Sequence, residues 1–298
     1  MRSPSSIEVR RARPLLGTIV AIRASGAERA RLEAAVEGAF HQVARVHELM
    51  SFHSPDSDVT RLNRSASTRP VPVSAETWSV LAVARQLAEV SSGLFDVTVA
   101  PALVRWGYLP RPRVPGGSRR AGAGWRDVDL LDGHAVRFRK PLLVDLGGIA
   151  KGYAVDLAVE ALEHGGASRG VVNAGGDLRA FGDCGEPVHV RLPHAPERFL
   201  ALTTLNNAAF ATSAGYFARR SWRGRRVSPL VFPTTGRPCL RRWSVSVKAP
   251  RCVLADGLTK VLMLGGESAL PTLRAFSAEG FIVTAGVAVL SSEAAGVA

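Results

Sequence analysis

The stretch Leu143–Asp156, LVDLGGIAKGYAVD, gathers residue types that suit an anionic ligand. An apolar run reaches Asp145, Gly147 and Gly148 follow, and a helix-forming segment then carries Lys151 and Asp156. Paired glycines at a strand-to-helix junction let backbone amides approach a ligand closely, and the N-terminus of the helix favours phosphate. Lys151, one turn in, adds a point charge, and Asp145 can accept a hydrogen bond. The spacing is neither GxGxxG nor a Walker loop. Taken alone, it suits a tight βα turn with an exposed lysine equally well.

Other segments could contribute to the same chemistry. Gly93–Pro101, GLFDVTVAP, places Asp96 and Thr98 two apart, on one side of an extended segment, and Phe95, Trp106 and Tyr108 offer flat surfaces for stacking. A core strand under an aromatic cluster gives the same pattern. Val171–Asp177, VVNAGGD, reads by default as a hairpin turn. Met50, at a helix end before the polar loop with His53, is soft enough to pack against a planar ring. Ala211–Tyr216, Ser228–Pro238 and Ala255–Lys260 complete the set. In the last, Asp256 and Lys260 share a helix face, which an ordinary ion pair also explains.

The elements that must position these groups follow from periodicity and punctuation. We expect strands at 15–23, 142–146, 170–176 and 281–286. Helices are expected at 27–49, 75–90, 150–163 and 253–264, with a short one at 267–276, and strands and turns across 187–248. Residues 51–63 read as a polar loop, and 109–124 as a flexible Pro/Gly/Arg-rich loop. The irregular alternation of strands and helices argues for an α+β fold.

Composition sets wider bounds. The 298 residues, 46% of them hydrophobic, can bury a sizeable core, and no window approaches a membrane span. The basic N-terminus has no apolar signal region, which points to the cytoplasm. The net charge of +13 comes mostly from arginine, since only Lys140, Lys151, Lys248 and Lys260 are lysines. Such a balance suits anionic partners, although no nucleic-acid-binding module is present and a coding bias toward arginine also explains it. Cys184, Cys239 and Cys252 have neither disulfide-framework nor zinc spacing.

Taken in order, these segments resemble the FAD:protein FMN transferase family, also called the ApbE or thiamine-biosynthesis lipoprotein family. The resemblance runs from Leu16-Gly17-Thr18 to the final strand and is most specific in GLFDVTVAP with WGY, VDLGGIAKGYAVD, VNAGGDLRAFG and ATSAGY. It implies a single domain over 1–298, with two related sheet-and-helix lobes around a flavin site. It also implies FAD, a divalent cation (usually magnesium), and transfer of FMN to a Thr or Ser hydroxyl of a flavoprotein acceptor. By motif, Met50, Leu94, Phe95, Asp96, Asp145 and Lys151 are the expected FAD contacts. Gly148, through its carbonyl, and Asp256 are the expected metal ligands. Family members are often periplasmic or membrane-anchored, unlike the expectation from this N-terminus.

The chain departs from the family at two places. The family's Ser-His-x-x-Asp-Pro-x-Thr-Gly reads here as Ser228–Gly236, with Pro229 in place of the His that resembles a general base and Phe232 in place of the Asp. Neither accepts a proton, so no catalytic base is assigned. At the metal motif, Lys260 stands where the family has Thr. Its ammonium repels a divalent cation and can take the cation's place beside Asp256. Two alternatives to transfer therefore stand: an FAD-binding carrier, sensor or assembly factor without turnover, and an FAD pyrophosphatase.

Overall fold

The structure is a computed structural model that describes residues 6–112, 122–215 and 218–284. It opens with a hairpin of β1 (Ile7–Leu15) and β2 (Thr18–Gly26). The hairpin is closed by Leu16 and Gly17, both at positive φ (55° and 71°), as a two-residue turn matching the strand twist requires. Helix α1 (Arg29–Met50) buries Leu32, Val36, Phe40, Val43, Val46 and Met50 along one stripe. Next come α2 (Asp58–Ser65), β3 (Val71–Pro72), α3 (Ala75–Val90), α4 (Ala100–Arg105), β4 (Val128–Leu131) and β5 (Ala135–Phe138).

The second half begins with α5 (Ala150–His164), which leads into the hairpin of β6 (Arg169–Ala174) and β7 (Asp177–Phe181). A second hairpin, β8 (Glu186–Leu192) with β9 (Ala195–Leu205), precedes β10 (Ala209–Ala214), and the short pair β11 (Arg220–Trp222) and β12 (Arg225–Val227) follows. The described chain closes with β13 (Ser244–Ala249), α6 (Cys252–Gly265), α7 (Leu270–Ala275) and β14 (Glu279–Val283).

Seven strands form one antiparallel sheet in the order β1-β2-β6-β7-β10-β13-β14. Helices α1, α5 and α6 pack against the sheet, and α5 contacts both of the others. A separate apolar cluster joins Leu178, Phe210 and Phe281 of the sheet to Val188 and Val190 of the β8–β9 hairpin. This segregated, antiparallel arrangement is the expected α+β class.

Several local expectations are corrected. Residues 142–146 belong to no strand or sheet. The Asn63 side chain replaces a neighbouring strand: its Nδ2 donates to the Val144 carbonyl (2.9 Å) and its Oδ1 accepts from the Val144 amide (2.7 Å). Residues 97–105 are helical, a 3-10 turn running into α4, because Asp96 caps the turn by accepting from the Thr98 amide and hydroxyl, both at 2.7 Å. Within the expected loop at 51–63 lies α2, started by Ser57, whose hydroxyl accepts from the Thr60 amide at 3.1 Å. Most of the expected flexible loop (113–121), Tyr216 and the far end of the expected last strand (285–286) lie outside the described residues.

Candidate functional site

A cavity of about 440 Å³ opens where the 94–109 segment, the turn before α5, the end of β10, residues 228–233 and α6 converge. Its size falls within the roughly 300–1,000 Å³ common for small-ligand sites. Leu94, Phe95, Leu103, Tyr108, Leu109 and Met263 give it an apolar wall, and Asp96, Asp145, Lys151, Ser213, Ser228 and Lys260 add polar groups.

Of the six expected FAD contacts, five line this cavity: Leu94, Phe95, Asp96, Asp145 and Lys151. Met50 does not. It is 3% exposed in the main core at the end of α1. Trp106 is also absent from the lining, because its indole donates to the Gly236 carbonyl at 2.8 Å. Tyr108 remains on the wall, anchored by its hydroxyl to the Ala218 carbonyl (2.7 Å) and covered by the Arg220 guanidinium 4.3 Å from the ring. His53 lines a neighbouring groove with Phe52, Asn63 and Arg111.

Asp145 is held by its backbone, whose amide donates to the Val97 carbonyl at 2.8 Å, so the two ligand segments are tied together directly. Burial raises its carboxyl above the ordinary value of 3.8, against a hydrogen bond from Gly147 and the field of His53.

Beneath the cavity lies an alternating ionic chain. The Lys151 ammonium binds Asp177 and lies 3.8 Å from Asp256, while the Lys260 ammonium binds the other oxygen of Asp256. Burial works against the charge on Lys151, but Asp256 and Asp177 outweigh it and raise its pKa. Burial likewise works against the Asp256 carboxylate, yet Lys151 and Lys260 hold its pKa below the ordinary range. The orientation of this chain matters most. Lys151 and Lys260 line the cavity with side chains 33% and 18% exposed, whereas the Asp177 and Asp256 side chains are 3% and 0% exposed behind them. At this floor of the cavity a ligand meets ammonium groups, not the carboxylates of Asp177 and Asp256.

Asp177 had no assigned role in the sequence, where it read as the end of a hairpin turn. The turn is present, with Gly175 and Gly176 at φ 67° and 101° and the Asn173 side chain accepting from the Gly176 amide at 2.9 Å. An acidic residue directly after such a turn was the available signal. Its pairing with Lys151 depends on how α5 crosses β7.

The residues at the expected metal site do not fit a divalent cation. Both Asp256 oxygens are engaged, one by Lys260 and the other by the Gly152 amide at 3.1 Å. The neighbouring hydroxyl, Thr259, is fully buried and turned away: it donates to the Asp256 carbonyl (2.7 Å) and pairs with Ser213 (2.8 Å). Gly148 reaches the cavity, but the Lys260 Cε lies 3.7 Å from where a Cβ on Gly148 would stand. A divalent cation about 4 Å from an ammonium is repelled by about 8 kcal/mol at an effective dielectric of about 20. Among the described residues no group of three or more His, Cys, Asp or Glu side chains is placed to hold a metal.

Pro229 sits at the exposed edge of the cavity, and Phe232 packs against the core. The proton-accepting side chains the family places in this segment are therefore missing from it.

Known proteins resemble this chain in both sequence and fold. The sequence profile of the ApbE family matches residues 16–282. The FAD:protein FMN transferase of Vibrio cholerae is 34% identical over 235 residues, covering 74% of this chain and 70% of its own length. That of Haemophilus influenzae is 33% identical over 245 residues, covering 76% and 71%. Among solved structures, the flavin transferase ApbE from Vibrio cholerae superposes with a TM-score of 0.79 at 28% identity, covering 97% of this chain and 98% of its own. The ApbE protein of Thermotoga maritima gives 0.80 at 28% identity, with 97% of each chain covered. With the family's motifs converging on one cavity and a family match along nearly the whole described chain, this protein belongs to the ApbE family.

Proposed function

We propose that the chain is an FAD:protein FMN transferase, taking FAD as donor and a Thr or Ser hydroxyl of a flavoprotein as acceptor. The observation that carries this reading is the convergence of 94–96, 145–151, 213–215, 228–233 and Lys260 on one cavity with an apolar wall and an ammonium floor. Phe95, Leu94 and Tyr108 provide a surface for a flat ring system. Lys151 and Lys260 neutralise the pyrophosphate, and Asp96 and Asp145 offer acceptors for the N–H and O–H groups of the dinucleotide.

In the reaction, the acceptor hydroxyl oxygen attacks the phosphorus of the FMN half. The bond from that phosphorus to the bridging oxygen breaks, and AMP leaves with the bridging oxygen. The hydroxyl proton is released, and the chain must manage this step without a side-chain base at position 229.

A second reading, FAD binding without turnover, is favoured by Pro229 and Phe232 specifically. Incubation with FAD and a flavoprotein acceptor separates the two. In-gel flavin fluorescence of the acceptor supports transfer. FMN and AMP release without labelled acceptor means hydrolysis, and FAD binding with neither product leaves the carrier reading.

A further inference from the structure

We infer that this protein binds the FAD pyrophosphate without a divalent metal, with the Lys260 ammonium occupying the cation's place and Lys151 acting beside it. The inference rests on the FAD reading above and concerns the part of the site where this chain differs from its family.

Three observations carry it. First, Lys260 is fixed by its own helix: its Nζ donates to the Asp256 carbonyl at 2.9 Å and pairs with the Asp256 carboxylate. An ammonium has three donors, so one remains for the cavity that Lys260 lines. Second, the ionic chain is one-sided. Both lysines face the cavity and their partners Asp177 and Asp256 lie behind them. At this floor a phosphate therefore meets hydrogen-bond donors at short range, while a cation placed there meets positive charge; Asp96 and Asp145 line other parts of the cavity. Third, the hydroxyl that could have replaced the lost threonine is committed elsewhere, because Thr259 is buried against Ser213. A lysine introduced without its surroundings would leave a ligand set partly available. Here both carboxylate oxygens of Asp256 are already paired, one with the Lys260 ammonium and the other with the Gly152 amide.

The consequence is a cationic group that is covalently attached to the protein. The metal-free protein is already competent to bind, so affinity for FAD does not vary with magnesium concentration.

The test titrates FAD into the full-length protein, following flavin fluorescence, in chelator and then in magnesium. The expected result is the same affinity in both. The Lys260→Met variant should bind at least about tenfold more weakly, the worth of one charge-assisted hydrogen bond, and magnesium should not rescue it. Lys260→Thr should become magnesium-dependent.

An affinity of the unaltered protein that rises tenfold or more with magnesium overturns the inference, as does one magnesium per chain by metal analysis of the FAD-loaded protein. Neither measurement depends on a variant folding. A thermal shift with inorganic pyrophosphate in chelator separates this inference from the FAD reading. Stabilisation by pyrophosphate without any FAD binding upholds the lysine site and removes FAD as its ligand. FAD binding that requires magnesium does the reverse, and no response to either probe overturns both.

Discussion

Asp156 of α5 and Asp256 of α6 cap each other's helices. The Asp156 carboxylate accepts from the amides of Cys252 and Val253 at the start of α6 (2.9 and 3.0 Å), and the Asp256 carboxylate accepts from the amide of Gly152 in the first turn of α5 (3.1 Å). Each helix start thus has its unpaired donors and its positive dipole end met by a buried carboxylate from the other. The two caps hold the helix bearing Lys151 and the helix bearing Lys260 in fixed relation beneath the cavity. Asp156, which closes one of the most specific motifs, acts here as a structural cap that also pairs with Arg179 at 2.9 Å.

Removing that cap should be costly. Asp156→Ala leaves two buried amides and the Arg179 guanidinium without their acceptor, and we expect a loss of about 3 kcal/mol or more. Urea unfolding measures it, and a loss below about 1 kcal/mol would show that water replaces the carboxylate.

The close approach of α5 and α6 depends on Gly152. A Cβ there would meet the Cys252 carbonyl oxygen at 2.3 Å and the Asp256 Cβ at 2.8 Å. Gly152→Ala should therefore push the helices apart, costing about 1–3 kcal/mol. It should also weaken FAD binding, because Lys151 and Lys260 separate with their helices. Unchanged FAD affinity in a destabilised variant would mean that the two ammoniums act independently.

Asp145 links site chemistry to pH. Its folded-state pKa is raised by burial, so the fold disfavours its ionised form. The penalty is present above the raised value and absent below the ordinary 3.8, where the group is protonated in both folded and unfolded states. Asp145→Asn should consequently stabilise the unliganded protein at neutral pH, with the gain vanishing in acid, and should weaken FAD binding. Denaturation midpoints at two pH values, with an FAD titration, check both halves.

Position 229 tests the missing base. Pro229 lines the cavity, so Pro229→His with Phe232→Asp places a proton acceptor and an orienting carboxylate where the family has them. Faster FMN transfer by about 100-fold is expected, the usual contribution of a positioned general base. An unchanged rate in a double variant that still binds FAD would place the limiting step elsewhere.

Much of the site was legible from the sequence because its parts are local. Glycines at Gly147 and Gly148, the apolar periods of α1 and α6, and the order of the motifs identified five of the cavity's wall residues and the unusual Lys260. Met50 could not be placed this way. A thioether at a helix end suits a ligand or a core equally, and here the core took it. The 93–101 and 142–146 segments were misread for a related reason: side chains of Asp96 and Asn63 supply the backbone's hydrogen bonds, and no periodicity reports that.

By itself, the sequence determined the family, the helices and sheet hairpins, and which ionisable groups were available, since these follow from residue type and short-range spacing. Only the tertiary structure decided how those groups face one another. Asp177 meets Lys151, Asp256 meets Lys260 and Gly152, and Asp156 meets the start of α6. Apart from the Asp256–Lys260 pair within α6, these contacts join positions far apart in the chain. Which side of an ion pair faces a cavity is set by what packs behind it: the aspartates are buried between helices and sheet, leaving the lysines toward the ligand.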